Sequence, residues 1–395
     1  MEGDFIKINE WLLPLSWLYG LGVKLRNLLF EIGILKSRSF QIPVISVGNI
    51  TVGGTGKTPH VEYLIELLQQ KFKVAMLSRG YKRKSKGFII ADKTSTVHDI
   101  GDEPFQMMQK YPDVTIAVDR KRCHGIEQLT ANDKRLNVIV LDDAFQHRYV
   151  KPGINILLVD YHRLIIYDKL LPAGRLREPL SGKDRADIVI ITKCPQDLKP
   201  MEYRVITKAM NLYPYQQLYF STLNYKPLRP VFKGKNNQVD LNDMIDLSGL
   251  KDQHVLLLTG IASPKQMIHD LSPIVGQFKP LTFGDHQQFT DKDVECINEA
   301  FAALPSPKLI VTTEKDVTRL KCVDGLTDDV RKNTYVLPVK IQFMLDQQHM
   351  FNENIIGYVF KNSRNSILAK GKDDNKPNDS NHSGNRPRTI SFRNN

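Results

Sequence analysis

Between residues 42 and 58 the chain reads as an apolar run, a glycine-rich turn and the start of a helix, and that order constrains everything around it. Residues 42–47 have the composition of a short buried strand. Gly48-Asn49-Ile50-Thr51-Val52-Gly53-Gly54-Thr55-Gly56-Lys57-Thr58 follows, and then Val61, Leu64, Ile65 and Leu68 recur at helical spacing. Strand, glycine-rich turn and helix are the setting of a phosphate-binding loop. The glycines let backbone N–H groups converge on phosphate oxygens, and the helix N-terminus adds partial positive charge. Lys57 supplies a mobile charge for β- and γ-phosphates, and Thr58 a hydroxyl for magnesium. Thr51, Gly53, Gly54, Thr55, Gly56, Lys57 and Thr58 are therefore the candidate nucleotide-binding residues. The loop departs from G-x-x-x-x-G-K-[ST] at one position, where Thr51 replaces the first glycine.

Residues 136–141 form a second apolar, β-branched run that ends in Asp142-Asp143. Acids at the carboxyl end of a buried parallel strand are where a P-loop protein holds magnesium, so both are candidate metal residues. Further strands read at 74–78, 154–159 and 188–192, separated by helical or loop segments. The alternation predicts a P-loop-type α/β fold, with a parallel sheet covered by helices on both faces. After Lys193 the pattern is irregular until about residue 246. Strands then read at 254–259, 308–313 and 335–341, the last placed at a sheet edge by Pro338. The expected organisation is an N-terminal amphipathic helix (1–36), a P-loop domain (37–230), a smaller C-terminal α/β domain (231–350) and a polar tail (363–395) too poor in apolar residues to order.

The formal charge is +12, of which +8 lies in the folded body once the first 36 residues (zero) and the tail (+4) are set aside. A basic body suits nucleotides or an acidic membrane surface. Nucleic acid is not an expected partner, because no run interleaves aromatics with bases and no Cys/His finger spacing occurs. The four cysteines form no C-x-x-C pair, which argues against a metal or disulfide framework. No feature calls for an obligate protein partner. Near the N-terminus, the longest uncharged stretch runs for 13 residues (11–23), short of the roughly 20 a spanning helix needs. As a helix it carries Ser16, Gly20, Lys24, Asn27 and Glu31 on one narrow polar stripe, with Trp11, Trp17, Phe30 and leucines around the rest. That pattern suits a helix lying in a membrane interface or one buried against the protein's own core.

The stretches VGNITVGGTGKTP, LSRGYKRKSKG, GDEP, VDRKRCHG, LDDAFQHR and LLPAGRLREPL, followed in order by TGIASP, FGDHQQFTDKD and VTTEKD, closely resemble the tetraacyldisaccharide 4′-kinases. Thr51 in place of glycine is what that family looks like. The resemblance implies transfer of the γ-phosphate of ATP, with magnesium, to the 4′-hydroxyl of a tetraacylated glucosamine disaccharide 1-phosphate, giving the bis-phosphorylated lipid A precursor. It also implies a peripheral protein on the cytoplasmic face of the inner membrane, held there by its N-terminal helix, and two α/β domains joined by a two-stranded linker. Carried over by motif, Asp119 matches the family's catalytic base and His286 the histidine that works with it, with Lys57 at the phosphates. Arg83, Arg175 and Arg177 fall in motifs expected to touch substrate or nucleotide. Without the resemblance, Asp119 would read as a salt-bridged surface acid. Two other classes share the loop and the acids: a P-loop ATPase or GTPase that is not a kinase, and a nucleotide-dependent membrane module without chemistry of its own.

Overall fold

Short β-branched runs bounded by glycine, proline or charged turns become the strands, and a computed structural model describes residues 8–232, 244–261, 264–284, 287 and 289–373. In chain order the first eight strands are β1 (Val44–Gly48), β2 (Val74–Ser78), β3 (Ile89–Ile90), β4 (Thr115–Val118), β5 (Val138–Leu141), β6 (Ile154–Asp160), β7 (Ile188–Thr192) and β8 (Gln217–Tyr225). They are followed by β9 (Arg229–Pro230), β10 (His254–Thr259), β11 (Gln277–Thr282), β12 (Lys308–Thr313), β13 (Thr334–Leu337) and β14 (Val339–Phe343). A nine-stranded sheet has the order β14-β8-β7-β6-β1-β5-β2-β4-β3, parallel from β8 to β4 and antiparallel at both edges. Every residue of β1, β2, β5 and β7 is buried, the reason these strands read as unbroken apolar runs.

Helices cover both faces. The P-loop helix Lys57–Leu68 sets Leu64, Ile65 and Leu68 against Ile45 and Val47 of β1. On the other face Ile126 and Leu129, from the helix Arg122–Asn132, pack on Leu77 and Ala117. Because β1 sits between β5 and β6, the loops leaving β1, β5 and β2 open toward one crevice at the carboxyl ends of the strands. A second sheet of five strands, β11-β10-β12-β13-β9, has apolar clusters on both faces and lies beyond that crevice.

Three features differ from the sequence reading. The run 335–341 is two strands, because Pro338 cannot donate to a ladder: β13 belongs to the second sheet, and β14 pairs with β8 in the first. The antiparallel β8–β14 pair is thus the two-stranded passage between the sheets. Residues beyond 338 return to the first sheet, where Phe351, Ile355 and Val359 of the last helix, Gln348–Asp373, join its core. That helix runs past Ser363 into the polar segment, since propagating an established helix adds a bond for each residue ordered; the rest of the tail, 374–395, lies outside the described residues. The irregular stretch after Lys193 holds a helix, Pro200–Met210, as well as β8.

The N-terminal helix Leu13–Glu31 turns Ser16, Gly20 and Phe30 inward, while Glu31 of the polar stripe stays exposed. Ser16 Oγ donates to the Leu170 carbonyl and accepts from the Ala173 N–H, both at 3.0 Å. A Cβ on Gly20 would stand 2.7 Å from Leu170 Cδ1, so any larger residue here requires the Leu170 side chain to move. Arg148 donates to the Asn27 carbonyl (3.1 Å) and lies 4.9 Å over the Phe30 ring. Lys24 stays exposed, and the apolar side faces out: Trp17 is 73% and Leu21 66% exposed, with Trp11, Leu18, Leu25 and Ile32 beside them. A soluble surface helix packs the other way round. Among the described residues no helix is long and apolar enough to cross a membrane.

Candidate active site

The phosphate loop is fastened through the carbonyls of Gly54, Thr55 and Gly56. Thr192, at the end of β7, donates to the Thr55 carbonyl (3.0 Å). Lys193 donates to the Gly54 carbonyl and pairs with Asp160 at 2.7 Å. The Gly56 carbonyl accepts from His60 Nδ1 (2.7 Å), whose other nitrogen meets the Ser221 hydroxyl at 3.0 Å. Burial pushes the His60 imidazole down to about 4, so it stands neutral in this role. Gly56 has φ +80°, a left-handed conformation suited to glycine. Thr51 bridges antiparallel to Leu176, and Val52 N–H donates to the Arg175 carbonyl at 2.8 Å. That extended backbone accommodates a β-branched residue, which explains why threonine can replace glycine there.

The same pairing carries Arg175 and Arg177 to the mouth of the loop. Buried Asp168 accepts from the N–H groups of Lys169 (2.8 Å) and Arg175 (3.1 Å) and is gripped by Arg163 at 2.6 Å, which sets the turn that aims both arginines. A cavity of about 900 Å³ lies between the sheets, lined by the residues 53–58, Asp142, Asp143, Arg175, Arg177 and Lys193. The second sheet contributes Gln266, Met267, Phe283 and Glu314 to its far wall.

Asp142 and Asp143 end β5 together but differ in setting. Asp142 is buried and accepts from the Ser78 hydroxyl (3.2 Å). Burial pushes its carboxyl up, and the charges of Glu103 and Asp143 add to the shift, against Lys57 and Arg122. Asp143 is more open, with φ +46°, and stands 3.6 Å from Lys57 Nζ. Asp119, at the end of β4, does not itself line the cavity. It is buried one strand away, its N–H donating to the carbonyl of Ser78, which does. His286 lies outside the described residues. Arg83 is buried, with its guanidinium donating to the carbonyls of Val118 (3.4 Å) and Gly87 (2.6 Å), so it fastens the basic loop here.

Residues 8–358 match the sequence profile of the family described as Tetraacyldisaccharide-1-P 4'-kinase. The chain belongs to that family. A tetraacyldisaccharide 4'-kinase of Phocaeicola vulgatus is 60% identical over 93% of this chain and 100% of its own length. Another, from Bacteroides thetaiotaomicron, is 54% identical over 94% of this chain and 98% of its own. Among solved structures, the "apo" form of LpxK from Aquifex aeolicus in complex with ATP is 28% identical, with a TM-score of 0.66 over 88% of this chain and 98% of that one.

As a tetraacyldisaccharide 4'-kinase family member, the chain has a donor set that suits magnesium carried by a nucleotide. Two like-charged acids crowd one strand end, one of them buried, while among the described residues no group of three or more His, Cys, Asp and Glu side chains forms a cage. Magnesium is usually held by one or two carboxylates together with substrate phosphates. Sequence reasoning missed Lys193, Ser78 and His124, which contacts Asp119. Lys193 follows an apolar strand run as Asp142 does, a signal that could have found it; nothing local distinguishes the other two.

Proposed function

We propose that this chain transfers the γ-phosphate of ATP to the 4′-hydroxyl of a tetraacylated glucosamine disaccharide 1-phosphate, at the cytoplasmic face of the inner membrane, as a peripheral protein. The observation that carries the reading is one segment serving two ends. Residues 170–177 seat the outward-facing apolar helix through Ser16 and Tyr19, and set Arg175 and Arg177 in the wall of the nucleotide cavity. A lipid held at that helix therefore presents its headgroup beside the phosphate loop.

The loop's N–H groups and Lys57 hold the β- and γ-phosphates, with Thr58, Asp142 and Asp143 at the metal position. Magnesium held there by Thr58, Asp142 and Asp143 would neutralise charge on the transferring phosphoryl group. Arg175 and Arg177 meet the anionic groups of nucleotide or substrate. Asp119 accepts the proton of the attacking hydroxyl, which has to reach past Ser78 in the cavity wall to the end of β4, and His286 works with it. This reading takes the two sheets as two lobes with the reaction between them; it needs neither nucleic acid nor a protein partner.

The test is transfer of labelled γ-phosphate from ATP to the acylated disaccharide 1-phosphate in mixed micelles. Stoichiometric labelling of the lipid supports the reading. Nucleotide hydrolysis that proceeds without acceptor and labels no lipid would replace it with a non-kinase P-loop enzyme.

A further inference from the structure

Asp119 is held from three sides by its own neighbours. Its Oδ2 lies 2.7 Å from Nδ1 of His124, in the first turn of the helix Arg122–Asn132. Its Oδ1 accepts the Lys121 N–H at 2.9 Å. Its carbonyl accepts from Arg122 Nη1 (2.6 Å), while Nη2 of the same guanidinium donates to the Asp142 carbonyl (3.1 Å). Arg122 is 2% exposed, so it ties the ends of β4 and β5 together from within the fold. The His124 ring is fixed on a second side, packing edge to face on Phe88 with centroids 6.3 Å apart.

We infer that His124 is a positioning residue for Asp119: its Nδ1–H and the Lys121 N–H orient the carboxylate so that the remaining lone pairs meet the substrate hydroxyl. An ionised carboxylate only accepts hydrogen bonds, so the proton between the two groups lies on Nδ1. The backbone donor fixes one oxygen and the imidazole the other, which leaves the carboxylate no free rotation. All the groups involved belong to the first sheet and its helix, so this hold on Asp119 does not depend on where the second sheet stands. His124 is half exposed, so the fold does not need it as a core residue. The inference rests on the reading of Asp119 as proton acceptor.

The experiment compares the full chain with His124→Ala, His124→Asn, His124→Gln, Asp119→Asn and the His124→Ala/Asp119→Asn double variant, measuring kcat, both KM values and ATP affinity. An asparagine amide can place a donor where Nδ1 stands; a glutamine amide reaches the position of Nε2 instead. Loss of orientation should lower kcat in His124→Ala and His124→Gln on the order of 10- to 100-fold, with the KM values and ATP affinity little changed. His124→Asn should recover most of the loss, and the double variant should be no slower than Asp119→Asn. Full turnover in His124→Ala beside an inactive Asp119→Asn overturns the role of His124 and leaves the base assignment standing. Equal losses in the Asn and Gln variants also overturn it, because the hydrogen bond would then not be what matters. Full turnover in Asp119→Asn removes the base assignment, and this inference with it.

Discussion

The ammonium of Lys110 lies 3.1 Å from both carboxylate oxygens of Glu314 and 2.6 Å from Glu62, so one cation joins the two sheets across the floor of the cavity. Gln106 donates to Glu62 (2.9 Å), and Arg229 reaches Glu314 (3.3 Å). Burial pushes the Glu62 carboxyl up, and the Lys110 charge works against that shift. Without the ammonium, two carboxylates face each other in a poorly solvated site. Lys110→Met should lower the unfolding free energy by about 3 kcal/mol, and adding Glu62→Gln should recover part of it. Urea unfolding checks this; coincident midpoints for the parent and Lys110→Met would show that the bridge contributes nothing.

Lys57 has a different kind of contact, a 3.6 Å approach to Asp143 on an open edge of the cavity. Its charge is aimed at phosphate rather than at the fold. Lys57→Met should leave the thermal midpoint within a degree or two and lower turnover on the order of 10²–10³-fold. A folded Lys57→Met protein that phosphorylates lipid at the parent rate would remove the loop from the mechanism.

The two acids should act alike in a magnesium titration of the rate and separate in stability. Either Asp142→Asn or Asp143→Asn should raise the magnesium concentration for half-maximal rate, roughly 10- to 100-fold. Asp142→Asn alone should also stabilise the metal-free protein, because it removes a buried charge crowded by Glu103 and Asp143. If neither titration moves, the metal is held elsewhere.

For the N-terminal helix, the exposed and packed faces predict opposite outcomes. Trp17→Glu with Leu21→Glu should release the protein from anionic liposomes and leave its melting temperature unchanged, since neither side chain touches the body closely. Gly20→Leu should instead lower the melting temperature, because even its Cβ would stand 2.7 Å from Leu170 Cδ1. Co-sedimentation and thermal melts together decide. A double glutamate variant still bound to liposomes would show that the helix is not the docking surface.

His60 sets a pH dependence. Its folded value is depressed to about 4 from the usual 6.5, so its stabilising contribution is fully present above 6.5 and is lost as pH falls toward 4. The loss over that window is on the order of 3 kcal/mol. His60→Gln, which cannot acquire charge, should show a flatter decline in unfolding free energy between pH 7 and 4. Parallel curves for the two proteins would place the effect in other groups, such as half-buried His147, whose imidazole is also pushed down to about 4.

Much of the architecture was legible locally. The P-loop, the acids ending β5 and the strands β2, β7, β10 and β12 follow from short-range physics: apolar runs buried on both faces, glycine where the backbone turns, charge where a strand ends. Their motifs also carried the family. What the chain alone did not disclose were relations between distant segments. β4 has only four residues and β8 mixes polar with apolar ones, too weak a pattern to read. Pro338 signalled an interrupted ladder, but not that the strands on either side enter different sheets, because strand partners are chosen by packing over long sequence separations. The polar stripe on the first helix was visible; that its Ser16 and Gly20 face inward was decided by Leu170, Ala173 and Arg148, more than a hundred residues away. In the same way Asp119 reads as an ordinary surface acid until the fold buries it and surrounds it with His124, Arg122 and the Lys121 N–H. Sequence determined which segments can be strand, loop and helix and which chemistry they carry; tertiary structure decided which side chains meet, because those contacts depend on how the sheets close around them.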